Sequence, residues 1–215
     1  MTTRVLIVDD HPAVREGLAL RISTQKDLEV CGEAEDITDT LRQLDTARPD
    51  VVVVDIQLKT GDGLELVKRI KTRDESIRIL VWSVYPDKVY AKRALKAGAL
   101  GYINKEHSTG RIVDAIRRVS EGRVYLADEI AESLLSHTVR GTADPNDSVV
   151  DILSDRELEV FRLLGEGLSG SQVAQRLHLS PHTVDTHRQR IKEKLSLANT
   201  TELTQAAIRW TIEGG

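Results

Sequence analysis

Cysteine is nearly absent: Cys31 is the single one in 215 residues, which excludes an internal disulfide framework and a cysteine-based zinc site. No apolar run approaches the roughly 18 residues that a membrane span requires. The residues ahead of the first apolar stretch have no signal-peptide pattern, so a cytoplasmic protein with no membrane partner is expected. The chain also lacks a Gly-x-x-x-x-Gly-Lys-Ser/Thr loop, which argues against a nucleotide-phosphate cradle. Neither internal repeats nor low-complexity tracts occur. What is there is ordinary for a soluble protein: 30% charged residues, a net charge of −4, and length for one large domain or two small ones. Cys31, in "EVCGE", reads as a small buried side chain in a strand.

From residue 4 to about 122, apolar runs alternate with amphipathic stretches. Val5–Val8, 51–54, 79–82 and 100–103 read as strands buried on both faces, and "LEVCGE" adds a fifth. Between them, Val14, Leu18 and Ile22 recur at helical spacing, as do Ile112, Ala115, Ile116 and Val119 before Gly122. Five strands alternating with five helices predict an α/β unit with a parallel, doubly wound sheet.

The pattern then changes. "YLADEIAESLLSHTV" predicts a connecting helix and "RGTADPNDS" a polar linker. From Ile152 onwards only short helices with marked starts are expected: a capping box at Ser154 and Glu157 flanked by Leu153 and Leu158, Ser180 before Pro181, and Asn199 with Glu202. This divides the chain into residues 1–122, a connection over 123–151, and a small all-α four-helix unit over 152–215.

In open parallel sheets, ligands bind outside the carboxyl ends of the strands. Asp9 and Asp10 follow the first strand, Asp55 the third, Ser83 the fourth and Lys105 the fifth. Asp10 or His11 could simply cap a helix beginning at Pro12. The five residues together suggest more. Clustered carboxylates repel unless a hard cation such as Mg²⁺ relieves them. Lys105 and Ser83 suit phosphate oxygens, and Asp55 between them suits nucleophilic attack on phosphorus.

The stretches "VLIVDDHPAVREGL", "PDVVVVDIQL" with Gly63 beyond it, "LVWS" and "KAGALGYINK" resemble a response-regulator receiver domain across that whole first segment. The resemblance implies that Asp55 is the phosphoacceptor and that Asp9, Asp10 and Asp55 bind Mg²⁺ with the backbone carbonyl of Gln57. It further implies that Ser83 and Lys105 bind the phosphoryl group and that Tyr102 is the rotating aromatic of the switch. Lys59 departs from the family's frequent proline.

In the second unit, "SGSQVAQRLHL" followed by "LSPHTVDTHRQRIKEKLSL" has the form of a helix-turn-helix. Val184, Ile191 and Leu195 form an inward stripe, leaving Asp185, Thr186, Gln189, Arg190 and Lys192 outside. Residues 126–215 hold nine Lys and Arg against fourteen Asp and Glu. Charge alone thus leaves a DNA reader level with a peptide-binding or structural domain. "LSDRELEVFRLLGEGLS", "VAQRL", "LSPHTVDTH" and "KEKL" resemble the LuxR-type helix-turn-helix of NarL/FixJ response regulators. That implies a DNA-binding surface on which Asp185, Thr186 and Gln189 occupy base-facing positions beside Thr183, with His187, Arg188, Lys192 and Lys194 as candidates for phosphate or structural roles. Gly170 and Asp185 depart from a common asparagine and a frequent lysine.

The resemblances imply a transcription factor phosphorylated by a partner histidine kinase, forming a homodimer and binding double-stranded DNA half-sites. The stripe Leu203, Ala206, Ala207 and Trp210 is a candidate dimer surface, or ordinary core. A magnesium phosphatase is the rival reading. It is disfavoured because Gln57, two residues after Asp55, is an amide where such enzymes carry a second acid; the chain is therefore expected not to be an enzyme.

Overall fold

A computed structural model describes residues 2–58, 60–107, 110–140, 149 and 152–212. Lys59 and most of the expected linker, residues 141–148, lie outside the described residues. The chain divides into two compact units, Met1–Ser136 and His137–Gly215.

The first unit alternates strictly: β1 (Thr3–Val8), α1 (Pro12–Ser23), β2 (Leu28–Ala34), α2 (Ile37–Ala47), β3 (Val51–Val54), α3 (Gly63–Arg73), β4 (Arg78–Ser83), α4 (Asp87–Ala97), β5 (Gly101–Asn104) and α5 (Ile112–Ser120). The five strands form a sheet in the order β2-β1-β3-β4-β5, and all pair parallel. The apolar runs of β1 and β3 lie at its centre and are almost fully buried, as strands covered on both faces must be. Leu18, Ile22, Ile112, Ala115, Ile116 and Val119 cover one face against Val5, Ile7, Val51, Val53 and Leu80.

Two features differ from the sequence expectation. Cys31 is only half-buried, because β2 is an edge strand with a neighbour on one side only; that burial pushes its thiol pKa up. The connecting helix begins later than "YLAD" suggests. Tyr125 accepts from Tyr102 N–H at 3.0 Å and donates to the Leu100 carbonyl at 3.0 Å. The open edge of β5 thus takes up one more residue of chain, and α6 runs from Asp128 to Arg140.

The second unit contains α7 (Asp155–Gly165), α8 (Gly170–Arg176), α9 (Pro181–Lys194) and α10 (Thr200–Ile212). The expected caps are present. Ser154 and Glu157 form a full capping box, with Leu153 and Leu158 buried beside it. Ser180 accepts from Thr183 N–H at 3.1 Å, and Asn199 from Glu202 N–H at 3.0 Å. Ser169 and Gln172 form a further box at the start of α8.

The core of this unit includes Leu158, Phe161, Val173, Val184, Ile191, Leu203, Ala207 and Trp210. Leu203, Ala207 and Trp210 are therefore interior, not a dimer surface. Trp210 packs on Phe161 with ring centroids 5.8 Å apart. Gly165 permits this approach, since a Cβ there would stand 2.5 Å from the Ala207 carbonyl oxygen. The outward side of α10 carries Ile208 and Ile212 instead. No helix among the described residues is long and apolar enough to cross a membrane.

Candidate functional site

Strand order reverses about β1, which has β2 on one side and β3 on the other. The crevice at such a switch point opens where β1 and β3 end. The backbone ladder fixes what stands there: Asp9 N–H donates to the Ala34 carbonyl at 3.1 Å, and Asp55 N–H to the Val8 carbonyl at 2.9 Å. Gly63 closes the turn beyond Asp55, donating to the Ile56 carbonyl at 2.8 Å. A Cβ on Gly63 would collide with the Asp55 carbonyl and sit 2.7 Å from Ile56 Cα, so only glycine fits. Gln57 lies in this turn, bridged to Asp62.

The geometry brings together the carboxylates expected from the strand ends. Asp9 and Asp55 are only 1% and 3% exposed. Lys105 Nζ bridges them, 2.5 Å from Asp9 Oδ2 and 2.7 Å from Asp55 Oδ2. Burial raises the pKa of Asp55; Lys105 pulls it down and Asp9 pushes it up again. For Lys105, burial works to depress the ammonium, but Asp55 and Asp9 outweigh it and the net shift is upward. Among the described residues, Asp55 Oδ1 is buried with no hydrogen-bond partner, as is the Ser83 hydroxyl. Ser83 lies close enough to favour ionised Asp55 slightly, though not in bonding geometry.

Three neighbours were not assigned to this site from the sequence. His11 Nδ1 lies 2.6 Å from Asp10 Oδ1, and the His11 backbone N–H donates to Asp9 Oδ1 at 2.9 Å. It occupies the N-cap position of α1 without a side-chain cap. Arg15 Nη1 donates to the Asp9 carbonyl at 2.6 Å. The Trp82 ring lies 5.3 Å from Lys105 Nζ, a cation–π distance. Adjacency to Asp10 could have flagged His11; Arg15 and Trp82 are brought in by helix and strand geometry. Asp9, Asp10, His11 and Asp55 each offer one ligand atom, all within 4.8 Å of one another. Three carboxylates, two of them (Asp10 and Asp55) with a buried oxygen that has no hydrogen-bond partner among the described residues, suit a hard divalent cation.

Tyr102 is already buried, with its hydroxyl donating to the Tyr85 carbonyl at 2.8 Å. Asn104 Nδ2 donates to the same oxygen at 2.9 Å. Burial, with Asp87 and Tyr90 nearby, holds the phenol pKa far up. The side chain is thus turned inward in this structure, and its hydroxyl ties β5 to the segment after Ser83.

In the second unit, α8 and α9 form the helix-turn-helix, joined through His178 at φ 52° and the Leu179 N–H to Ala174 carbonyl bond at 2.9 Å. Val184 and Ile191 face inward and are fully buried, while Leu195 is half-buried. Asp185, Gln189 and Arg190 are exposed; Thr183, Thr186, His187, Arg188 and Lys192 are partly so. Gln189 donates to Glu193 Oε1 at 2.9 Å. Burial, with Arg156 nearby, lowers the His187 pKa. Lys194 pairs at 2.7 Å with the buried Glu157 of α7, a structural role. A buried carboxylate requires a cation, and the last turn of α9 supplies it.

Two family models match this chain: the response regulator receiver domain over residues 5–117, and bacterial regulatory proteins of the luxR family over residues 151–207. Response regulator GacA of Pseudomonas aeruginosa is 33% identical over 206 residues, covering 96% of this chain and 95% of its own. The Bordetella pertussis regulator BvgA, described as a putative positive transcription regulator of virulence factors, is 32% identical over 210 residues, with 97% and 98% coverage. Among solved structures, RcsB of Salmonella enterica serovar Typhimurium, bound to promoter rprA with a phosphomimetic, has a TM-score of 0.63 at 25% identity, covering 95% and 98% of the two chains. The receiver and the helix-turn-helix thus define a class of two-domain transcriptional regulator. The chain belongs to the response regulators that carry a LuxR-family output domain.

Proposed function

We propose that Asp55 is the phosphoacceptor, that Asp9, Asp10 and Asp55 with the Gln57 backbone carbonyl hold Mg²⁺, and that Ser83 and Lys105 bind the phosphoryl oxygens. The observation carrying this reading is the buried Asp55 Oδ1, without a hydrogen-bond partner among the described residues, beside a lysine that neutralises the other oxygen. An Asp55 oxygen forms the bond to phosphorus while the donor's bond to its leaving group breaks, the electron pair departing with that group. Bound Mg²⁺ would supply positive charge against the crowded carboxylates and phosphoryl oxygens. Lys105 exchanges a carboxylate for a phosphoryl oxygen, and the Ser83 hydroxyl finds an acceptor. The Tyr102 and Asn104 bonds to Tyr85 then carry any Ser83 displacement to β5 and α4, which is the contact difference a two-state switch requires.

The donor is a partner histidine kinase. The output is a homodimer that sets two α9 helices on DNA half-sites, a reading supported by the promoter-bound relative. Thr183, Thr186, Gln189 and Lys192 are among the groups of α9 offered to DNA, and the protein works in the cytoplasm. The chain is not a turnover phosphatase: the Gln57 side chain can neither protonate a leaving group nor activate water.

Intact mass after incubation with acetyl phosphate and Mg²⁺, for wild type and Asp55→Asn, with sizing of the same samples, tests this. One added phosphoryl group on wild type alone, with a shift to dimer, is expected. Equal modification of both proteins, or none on wild type, overturns the assignment.

A further inference from the structure

On α9, Asp185 and Arg188 stand one turn apart, and Arg188 Nη1 donates to Asp185 Oδ1 at 3.1 Å. The Asp185 side chain is 67% exposed, that of Arg188 only 24%. Part of what lies against the arginine is the start of α8. Gly170 is the first residue of that helix, and a Cβ there would stand 3.3 Å from Arg188 Nη1. Arg188 Nε is buried and has no hydrogen-bond partner among the described residues. A guanidinium is thus held at the seam between the two helices of the helix-turn-helix.

Exposed pairs one turn apart add little to stability, so the consequence of this one lies in orientation. A lone carboxylate on the outer side of α9 would repel a phosphate backbone; here its charge is matched. In a helix-turn-helix the first helix crosses the DNA backbone while the second enters the groove. A cation at the seam therefore meets phosphate, and phosphate contacts fix register without reading sequence.

We propose that Asp185 is a positioning residue acting through Arg188. It holds the guanidinium over Gly170 for a backbone phosphate contact and does not itself read a base. The proposal rests on the DNA-reading role of α9 given above.

The test uses the full chain as wild type, Asp185→Ala, Arg188→Ala, the double variant and Gly170→Ala. Each is titrated, over a salt series, against a duplex that wild type selects from a randomised pool and against a fixed unrelated duplex. Arg188→Ala should weaken both duplexes by the same factor, about tenfold for one charge-assisted bond, and lower the salt slope by about one. Asp185→Ala should weaken both several-fold although it removes a negative charge, yet strengthen binding in the Arg188→Ala background. Gly170→Ala, which changes no charge, should reproduce the Asp185→Ala loss. A misfolded variant would give neither the sign reversal nor the unit change in slope.

The proposal falls if Asp185→Ala raises affinity equally in both backgrounds, if it changes the sequence selected from the pool, or if Arg188→Ala has no effect. Failure of wild type to bind either duplex would remove the DNA-reading role and the proposal with it. Binding by wild type with additive variants would remove the proposal alone.

Discussion

Lys105 Nζ lies 2.7 Å from Asp55 Oδ2, and the same ammonium stands 2.5 Å from Asp9 Oδ2. One cation therefore compensates two buried carboxylates. Lys105→Met leaves both without it. Removing one partner of a buried ion pair typically costs about 3–5 kcal/mol, so a loss of about 3 kcal/mol in denaturant unfolding is expected. Millimolar Mg²⁺ should recover part of it, because a divalent ion can take over the neutralisation. Equal stability of the variant with and without Mg²⁺ would refute that account.

Asp55 carries the opposite sign of effect. Burial raises its folded pKa above the ordinary 3.8, so the fold disfavours the carboxylate. A group shifted this way contributes stability below its unfolded pKa and loses it as pH rises through the folded value. Asp55→Asn should therefore melt at a higher temperature than wild type near pH 7 without divalent cations. The difference should close on acidification, where Asp55 is protonated in both states, and narrow when Mg²⁺ is added.

Glu157 behaves in the contrary sense. Burial works to raise its pKa, but the bond from Lys194 and those from Ser154 outweigh it and the net shift is downward from 4.5. Such a group stabilises the fold above its unfolded pKa, and the contribution is lost as pH falls through the folded value. Between about pH 5 and pH 3, Glu157→Gln should show a shallower fall in stability than wild type, measured by chemical unfolding. An unchanged slope would mean the Lys194 pair is not formed in solution.

The two faces of α10 should respond very differently. Trp210→Ala empties a site against Phe161 and should cost about 3–5 kcal/mol, seen as early melting of the second unit. Ile212→Ser, on the exposed side, should shift stability by no more than about 0.5 kcal/mol. Comparable losses from both would argue against an interior Trp210.

Much of this molecule is legible in one dimension because its signals are local. Continuous apolar runs followed by amphipathic stretches define β1 to β5 and their helices, since a strand buried on both faces has no room for polar residues. The capping residues Ser154, Ser180 and Asn199 mark helix starts because the bonds they make reach only two or three residues along the chain. The carboxylates of the receiver site could be placed because a parallel sheet puts every strand's carboxyl end on one edge.

Contacts between distant segments were settled only by tertiary structure. Nothing in the sequence ties Lys194 to Glu157, or Arg188 to the bare backbone of Gly170, because those pairs meet through the crossing of separate helices. The burial of Trp210 has the same origin: helical spacing defines its stripe but not which side of α10 the rest of the unit covers. The inward position of Tyr102 depends on a carbonyl seventeen residues earlier in the chain. Local propensity determined where the elements are and which chemistry the strand ends carry; packing decided which charges are matched inside the protein and which remain for a partner.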